Sequence, residues 1–116
     1  MYHYKAKVER VVDGDTFDVI IDLGFKITTN QRIRLAGVNA PETFSVKRDT
    51  EEYQKGLASK QFLDHRLAAN NYEIEMETEK LTEKYGRYVG TIWLADSEVT
   101  LNDEMVEKGF AVYIKY

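Results

Sequence analysis

Phe17-Asp-Val-Ile-Ile-Asp-Leu23 is the stretch on which the fold depends. Phe17, Val19, Ile21 and Leu23 occupy alternate positions, with Asp18, Ile20 and Asp22 between them. A period of two places one set on each face of an extended strand, so one face is built for a core and the other for water. Gly14 before it and Gly24 after it supply the bounding turns. Upstream, Tyr2 to Val12 is rich in Tyr and Val and predicts a first strand. Downstream, a third strand is expected from about Gln31 to Val38, with Ile33 and Leu35 on one face and Arg32 and Arg34 on the other. Pro41 stops that strand.

Thr43 to Thr50 is polar. Glu51 to Ala69 has helical spacing, with Leu57, Phe62, Leu63 and Leu67 on one stripe, and Asn70-Asn71 ends it. Tyr72 to Glu79 alternates again, Tyr72, Ile74 and Met76 against Glu73, Glu75, Glu77 and Glu79. That predicts a half-buried strand with an acidic, solvated outer face. Lys80 to Gly86 reads as a loop, and Tyr88 to Ala95 as a fifth strand carrying Trp93. Thr100 and Asp103 have the spacing of a capping box, Leu101, Met105 and Val106 give an apolar stripe, and Gly109 is placed to end the helix. Phe110 to Ile114 is expected to return as a short strand. Five main strands with one helix inserted before the fourth predict a mainly β chain with helices (α+β): a small closed five-stranded barrel, with the OB-fold as the natural candidate. Periodicity does not set the strand order.

The length of 116 residues predicts one domain, spanning 1–116. A 43% hydrophobic content fills a modest core, and 31% charged residues favour solubility. No apolar run is long enough to span a membrane, so no membrane partner is expected, and the chain is expected to be a monomer. The absence of Cys excludes disulfides and thiolate metal sites. No basic-then-apolar leader precedes Tyr2, which leaves an intracellular protein or a secreted one whose leader has been removed. The formal charge of -4 argues against a broad basic coat, so any nucleic-acid contact must rest on a local cationic patch.

Three segments carry chemistry: Asp13-Gly-Asp-Thr16, Arg34-Leu-Ala-Gly-Val-Asn-Ala-Pro-Glu-Thr43 and Lys84-Tyr-Gly-Arg87. Together they offer a carboxylate for a metal, a carboxylate for a base and two guanidinium groups, the groups needed to cut a phosphodiester bond. Asp15 suits a hard cation, with Asp13 and Asp18 as near alternatives, although an isolated Asp-Gly-Asp-Thr also reads as a capped turn. Arg34, mid-strand among apolar residues, needs either an ion pair with Asp15 or Glu42 or an anionic ligand such as phosphate. Asn39 and the Ala40 carbonyl offer neutral oxygens, though Asn39 is equally a turn residue. Glu42, on the corner after Pro41, can accept a proton from water. Arg87 enters a strand after Gly86, while Lys84 and Tyr85 can hold a terminal phosphate or simply form a solvated loop. Lys47 and Arg48 are placed to steer a polyanion, and Tyr113 and Tyr116 to stack on a base or to pack. His3 and His65 lack ligand spacing.

The chain resembles the staphylococcal nuclease, or thermonuclease-like, family. The resemblance rests on Val12-Asp-Gly-Asp-Thr16, Arg34-Leu35, Val38 through Thr43, Gly56 to Phe62, Lys84-Tyr-Gly-Arg87, Leu101-Asn102, Met105-Val106 and Gly109-Phe-Ala111. It implies an OB-fold barrel with calcium-dependent cleavage of single-stranded DNA and RNA. On that resemblance Asp15, Asn39 and the Ala40 carbonyl stand at the metal, Arg34 and Arg87 at the phosphate, and Glu42 as the general base. Lys84 and Tyr85 match residues near the nucleotide's phosphate. The sequence departs from the family pattern in three places. Asn39 stands where the nucleases usually carry a second metal-binding aspartate, which should weaken a cation site or leave a binding module without catalysis. The chain stops at Tyr116, before the usual third helix. It is also acidic, whereas the secreted nucleases are basic.

Overall fold

The structure, a computed structural model, describes residues 2–43, 47–82 and 88–114. Its elements run β1 (Tyr2–Asp13), β2 (Thr16–Asp22), β3 (Thr28–Leu35), β4 (Val38–Asn39), α1 (Glu51–Ala69), β5 (Glu73–Thr82), β6 (Tyr88–Trp93), α2 (Leu101–Glu107) and β7 (Val112–Tyr113). Five strands close into a barrel in the order β1-β2-β3-β6-β5. All neighbours are antiparallel except β3 and β6, which pair in parallel with Arg34 beside Val89. The expected small barrel is therefore present as a closed, mixed five-stranded α+β structure with two helices.

Alternation in the sequence becomes the barrel lining. Phe17, Val19, Ile33, Leu35, Met76 and Ile92 are buried. Leu63 and Leu67 of α1 and Leu101 and Met105 of α2 join the same cluster. The α1 stripe is narrower than expected. Gly56 and Ser59 share the buried face, while Leu57 and Phe62 are only half-buried. β1 pairs with both β2 and β5, and its register shifts between Val8 and Arg10 and between Val11 and Asp13. Such bulges bend a strand, which lets one long strand serve two neighbours around a tight barrel.

Three boundaries differ most from the sequence reading. Leu23 is not a core residue; β2 ends at Asp22 and Leu23 is exposed. The third strand does not reach Val38. It ends at Leu35, and Gly37, at a φ of 73°, turns the chain so that Val38 and Asn39 form a separate strand paired with β7. A left-handed φ is accessible to glycine at little cost, and it redirects the backbone from the barrel wall to the site. Lys80 to Thr82 belong to β5 rather than to a loop. Both helix starts follow the sequence, with Thr50 accepting from Tyr53 N–H and Thr100 from Asp103 N–H.

Candidate active site

The β1–β2 turn and the β3–β4 corner meet at one end of the barrel. Asp15, buried at 7% exposure, lies in the turn just before β2 and is the hub. Its Oδ2 accepts the Ala40 N–H at 2.9 Å, and its Oδ1 accepts the Thr16 hydroxyl at 2.9 Å. Arg34 Nη2 stands 3.5 Å from Asp15 Oδ2 and donates to Asn39 Oδ1 at 3.0 Å, while Nη1 reaches the Leu35 carbonyl at 3.5 Å. The ion pair with Asp15 that the sequence left open for Arg34 is thus formed. Asp15 from the first turn and Arg34, Asn39 and Ala40 from the later strand and corner make one polar cluster.

Glu42 is held beside this cluster from three directions. Ala40 on one side is fastened to Asp15. Thr43 on the other donates its N–H and hydroxyl to Asp13 Oδ1, at 3.3 and 2.7 Å. Asp13 is therefore a fastener for the Glu42 corner. Behind the corner, α1 approaches so closely that a Cβ on Gly56 would lie 2.5 Å from the Glu42 carbonyl oxygen. A Cβ on Gly14 would likewise meet Ser59 Cβ at 2.6 Å. These two glycines let the helix seat against both loops. The Glu42 side chain is exposed and lines a cleft of about 930 Å³ together with Asn39, Ala40, Pro41 and the first turn of α1.

Other sequence candidates fall elsewhere. Asp18 pairs with Arg32 at 2.7 Å and with Arg10 at 3.7 Å; the hydrogen bond from Arg32 holds its carboxyl below the ordinary carboxylate value. It is therefore not placed as a metal ligand. Asp22 is exposed and accepts the Gly24 N–H. His3 lies near Glu75 and Glu77, and His65 is exposed. Lys47 and Arg48 are exposed, and the exposed Tyr113 donates its hydroxyl to Asp103. Lys84, Tyr85, Arg87 and Tyr116 lie outside the described residues.

Sequence reasoning missed Asn102 as a positioning residue. Buried in the first turn of α2, it accepts the Ile92 N–H at 3.0 Å and donates to the carbonyls of Ala36 and Gly90 at 2.9 and 3.1 Å. It therefore ties β6 to the corner where β3 gives way to the site. The capping box predicts that the residue lies on a helix, but nothing local announces its distant partners.

The donor set fits a hard divalent cation, since every candidate group presents oxygen: the Asp15 carboxylate, the Asn39 amide and the Ala40 carbonyl. It is a lightly charged set. No group of three or more His, Cys, Asp or Glu able to hold a metal occurs among the described residues.

A family model described as staphylococcal nuclease homologue matches residues 32–116. The thermonuclease of Staphylococcus intermedius is 36% identical over 104 residues, covering 90% of this chain and 56% of that protein. The thermonuclease of Staphylococcus hyicus is 31% identical over 105 residues, again 90% of this chain and 56% of that protein. The micrococcal nuclease of Shigella flexneri is 29% identical over 121 residues, 97% of this chain and 60% of that protein. The chain thus spans little more than half the length of these relatives.

Proposed function

The chain belongs to the staphylococcal nuclease family, and from that premise we propose that it is a calcium-dependent phosphodiesterase acting on single-stranded DNA and RNA. The observation that carries this reading is the cluster in which Arg34, Asp15, Asn39 and Ala40 meet beside the cleft wall bearing Glu42.

In the resting site Arg34 is mostly withdrawn from water and already aimed by Asp15 and Asn39. A phosphate oxygen reaching it meets a fork with little freedom left to lose. Arg34, joined by Arg87, stabilises the extra negative charge as phosphorus becomes five-coordinate, while Lys84 and Tyr85 hold a neighbouring phosphate. Glu42 accepts the proton of the attacking water as its oxygen bonds to phosphorus, and the bond to the leaving sugar oxygen breaks on the opposite side, that oxygen taking a proton from solvent. Asp15, Asn39 and the Ala40 carbonyl are the groups that would hold a calcium ion, which when bound adds positive charge at a nonbridging phosphate oxygen.

Release of acid-soluble fragments from heat-denatured DNA, with and without a chelator, tests the reading. Arg34→Ala is expected to reduce the rate about a hundredfold or more, the usual cost of one lost electrostatic donor. Activity that survives both chelation and Arg34→Ala rejects the mechanism.

One observation favours a second reading, a nucleic-acid or protein-binding module of the same fold with weak or no turnover. Asn39 is neutral and its side-chain oxygen already accepts from Arg34. Binding of single strands without cleavage at millimolar calcium, the weak end of calcium sites, distinguishes it.

A further inference from the structure

The acidic chain keeps its positive charge in an uneven distribution. Residues 1–34 carry six Lys and Arg against five carboxylates, and the rest of the chain ten against fifteen. The registers of β1, β2 and β3 set most of those early cations on one outer face. Arg34 lies opposite Thr16 at the site end. Next come Arg10, Asp18 and Arg32 across the three strands, then Lys7 beside Ile20, then Lys5 beside Asp22. Lys5, Lys7, Arg10 and Arg32 are exposed. Of the facing carboxylates, Asp18 is shared between two arginines and Asp22 is bonded to the Gly24 N–H; Glu9, at the bulge, is exposed. The exposed Glu73 and Glu75 of β5, opposite Lys7 and Lys5, form an acidic border on one side.

This face ends at a tip that folding alone does not explain. Phe25 is 97% exposed, at a φ of 55°, beside Lys26 at 63°. Both sit in left-handed backbone that side-chain-bearing residues rarely adopt. Hydrogen bonds from Ile27 N–H to Gly24 O and from Leu23 N–H to Ile27 O, each 2.9 Å, hold the turn. From Arg34 to Thr28 the strand runs about 20 Å, at about 3.4 Å per residue.

We propose that this outer face is an exosite for single-stranded nucleic acid. Lys5, Lys7, Arg10 and Arg32 take phosphates of a strand that leaves the cleavage site at Arg34, and Phe25 stacks on one of its bases. The inference rests on the phosphodiesterase reading for the position of the cut. A single strand fits better than a duplex because Phe25 offers a stacking face, which only an unpaired base can use.

The test uses the full chain and two ligands, a long labelled oligonucleotide and a dinucleotide. Anisotropy with chelator present, across a salt series, reads binding without turnover. Lys5→Ala/Lys7→Ala is expected to flatten the salt slope by about 1.4, or about 0.7 per lost phosphate contact. Phe25→Ala is expected to weaken long-strand binding about fivefold or more with the slope unchanged. Neither variant should alter dinucleotide cleavage. Long-strand binding that is indifferent to both variants, or an equal slope loss in Lys108→Ala, at the end of α2 and outside this face, overturns the exosite. Binding that shows these effects in a protein that never cleaves would reject the catalytic reading and leave the exosite standing.

Discussion

Gly56→Ala separates the position of Glu42 from the stability of the fold. Inside an exposed helix, alanine for glycine adds about 1 kcal/mol of stability. Here the new methyl would sit 2.5 Å from the Glu42 carbonyl oxygen, 2.8 Å from its carbonyl carbon and 3.0 Å from the Pro41 oxygen. All three are backbone atoms, so no flexible side chain can swing aside. Overpacking of this kind costs about 1–3 kcal/mol, and subtracting the helix gain leaves a net loss of about 0–2 kcal/mol. Relief requires the Pro41–Glu42 corner to withdraw by roughly 1 Å, because carbon–oxygen contacts settle near the van der Waals distance. A displacement of that size at a reacting group costs about a hundredfold in rate. The expected result is a variant with a small shift in unfolding midpoint and a large fall in kcat on single-stranded DNA. Asp13→Ala, which frees Thr43 from the other side, should act in the same direction. If Gly56→Ala folds and cleaves like the parent, Glu42 does not need its corner where it is, and its assignment as proton acceptor fails.

Asn39→Asp tests the metal ligand set. Restoring a carboxylate is expected to raise calcium affinity about tenfold or more, read by calorimetry, and to raise activity with it; no change in either removes Asn39 from the ligand set. Asn102→Ala strips buried partners from Ile92 N–H and from the Ala36 and Gly90 carbonyls, and should cost about 2–4 kcal/mol in denaturant unfolding. Acid should loosen the fold through Asp96 and Asp18, whose carboxyls are held below their ordinary value of 3.8 by Arg66 and Arg32 respectively. A depressed folded-state pKa gives stability that is complete above the unfolded value and lost as pH falls through the folded one. The urea midpoint should therefore decline below about pH 4, and less steeply in Asp96→Asn.

The barrel was legible because its evidence is local. Phe17, Val19 and Ile21 alternate, and they are buried. Thr50 and Thr100 have the residue types and spacing of caps, and both act as caps. The break at Gly37 was passed over in the sequence, although Val38 falls out of phase with Ile33 and Leu35; its pairing with β7 shows the new strand. At the site, the residue types of Asp15, Arg34 and Asn39 signalled a shared polar cluster. The bonds that tie Asp15 to Ala40 and to Arg34 could not be read, since they join residues that only folding brings together. Asp13 illustrates the difference. In sequence it is one more carboxylate near a turn, and in the fold its Oδ1 fastens Thr43.

The arrangement also explains how a site can rest on loops without being loose. Loops are the most mobile parts of a domain, and a catalytic corner tolerates little movement. Here the two loops fasten each other, Ala40 to Asp15 and Thr43 to Asp13, so Glu42 is bracketed by bonds on both sides. Helix α1 closes the third side through Gly56, and Ser59, which abuts Gly14, donates to the Phe110 carbonyl at 2.6 Å. That last bond couples the segment after α2 to the same wall. The corner can shift only if the helix shifts, and Leu63 and Leu67 root the helix in the core. Positional precision at Glu42 is thus drawn from burial at the far end of α1. Substitutions that loosen Leu63 or Leu67 should reach catalysis without touching the cleft.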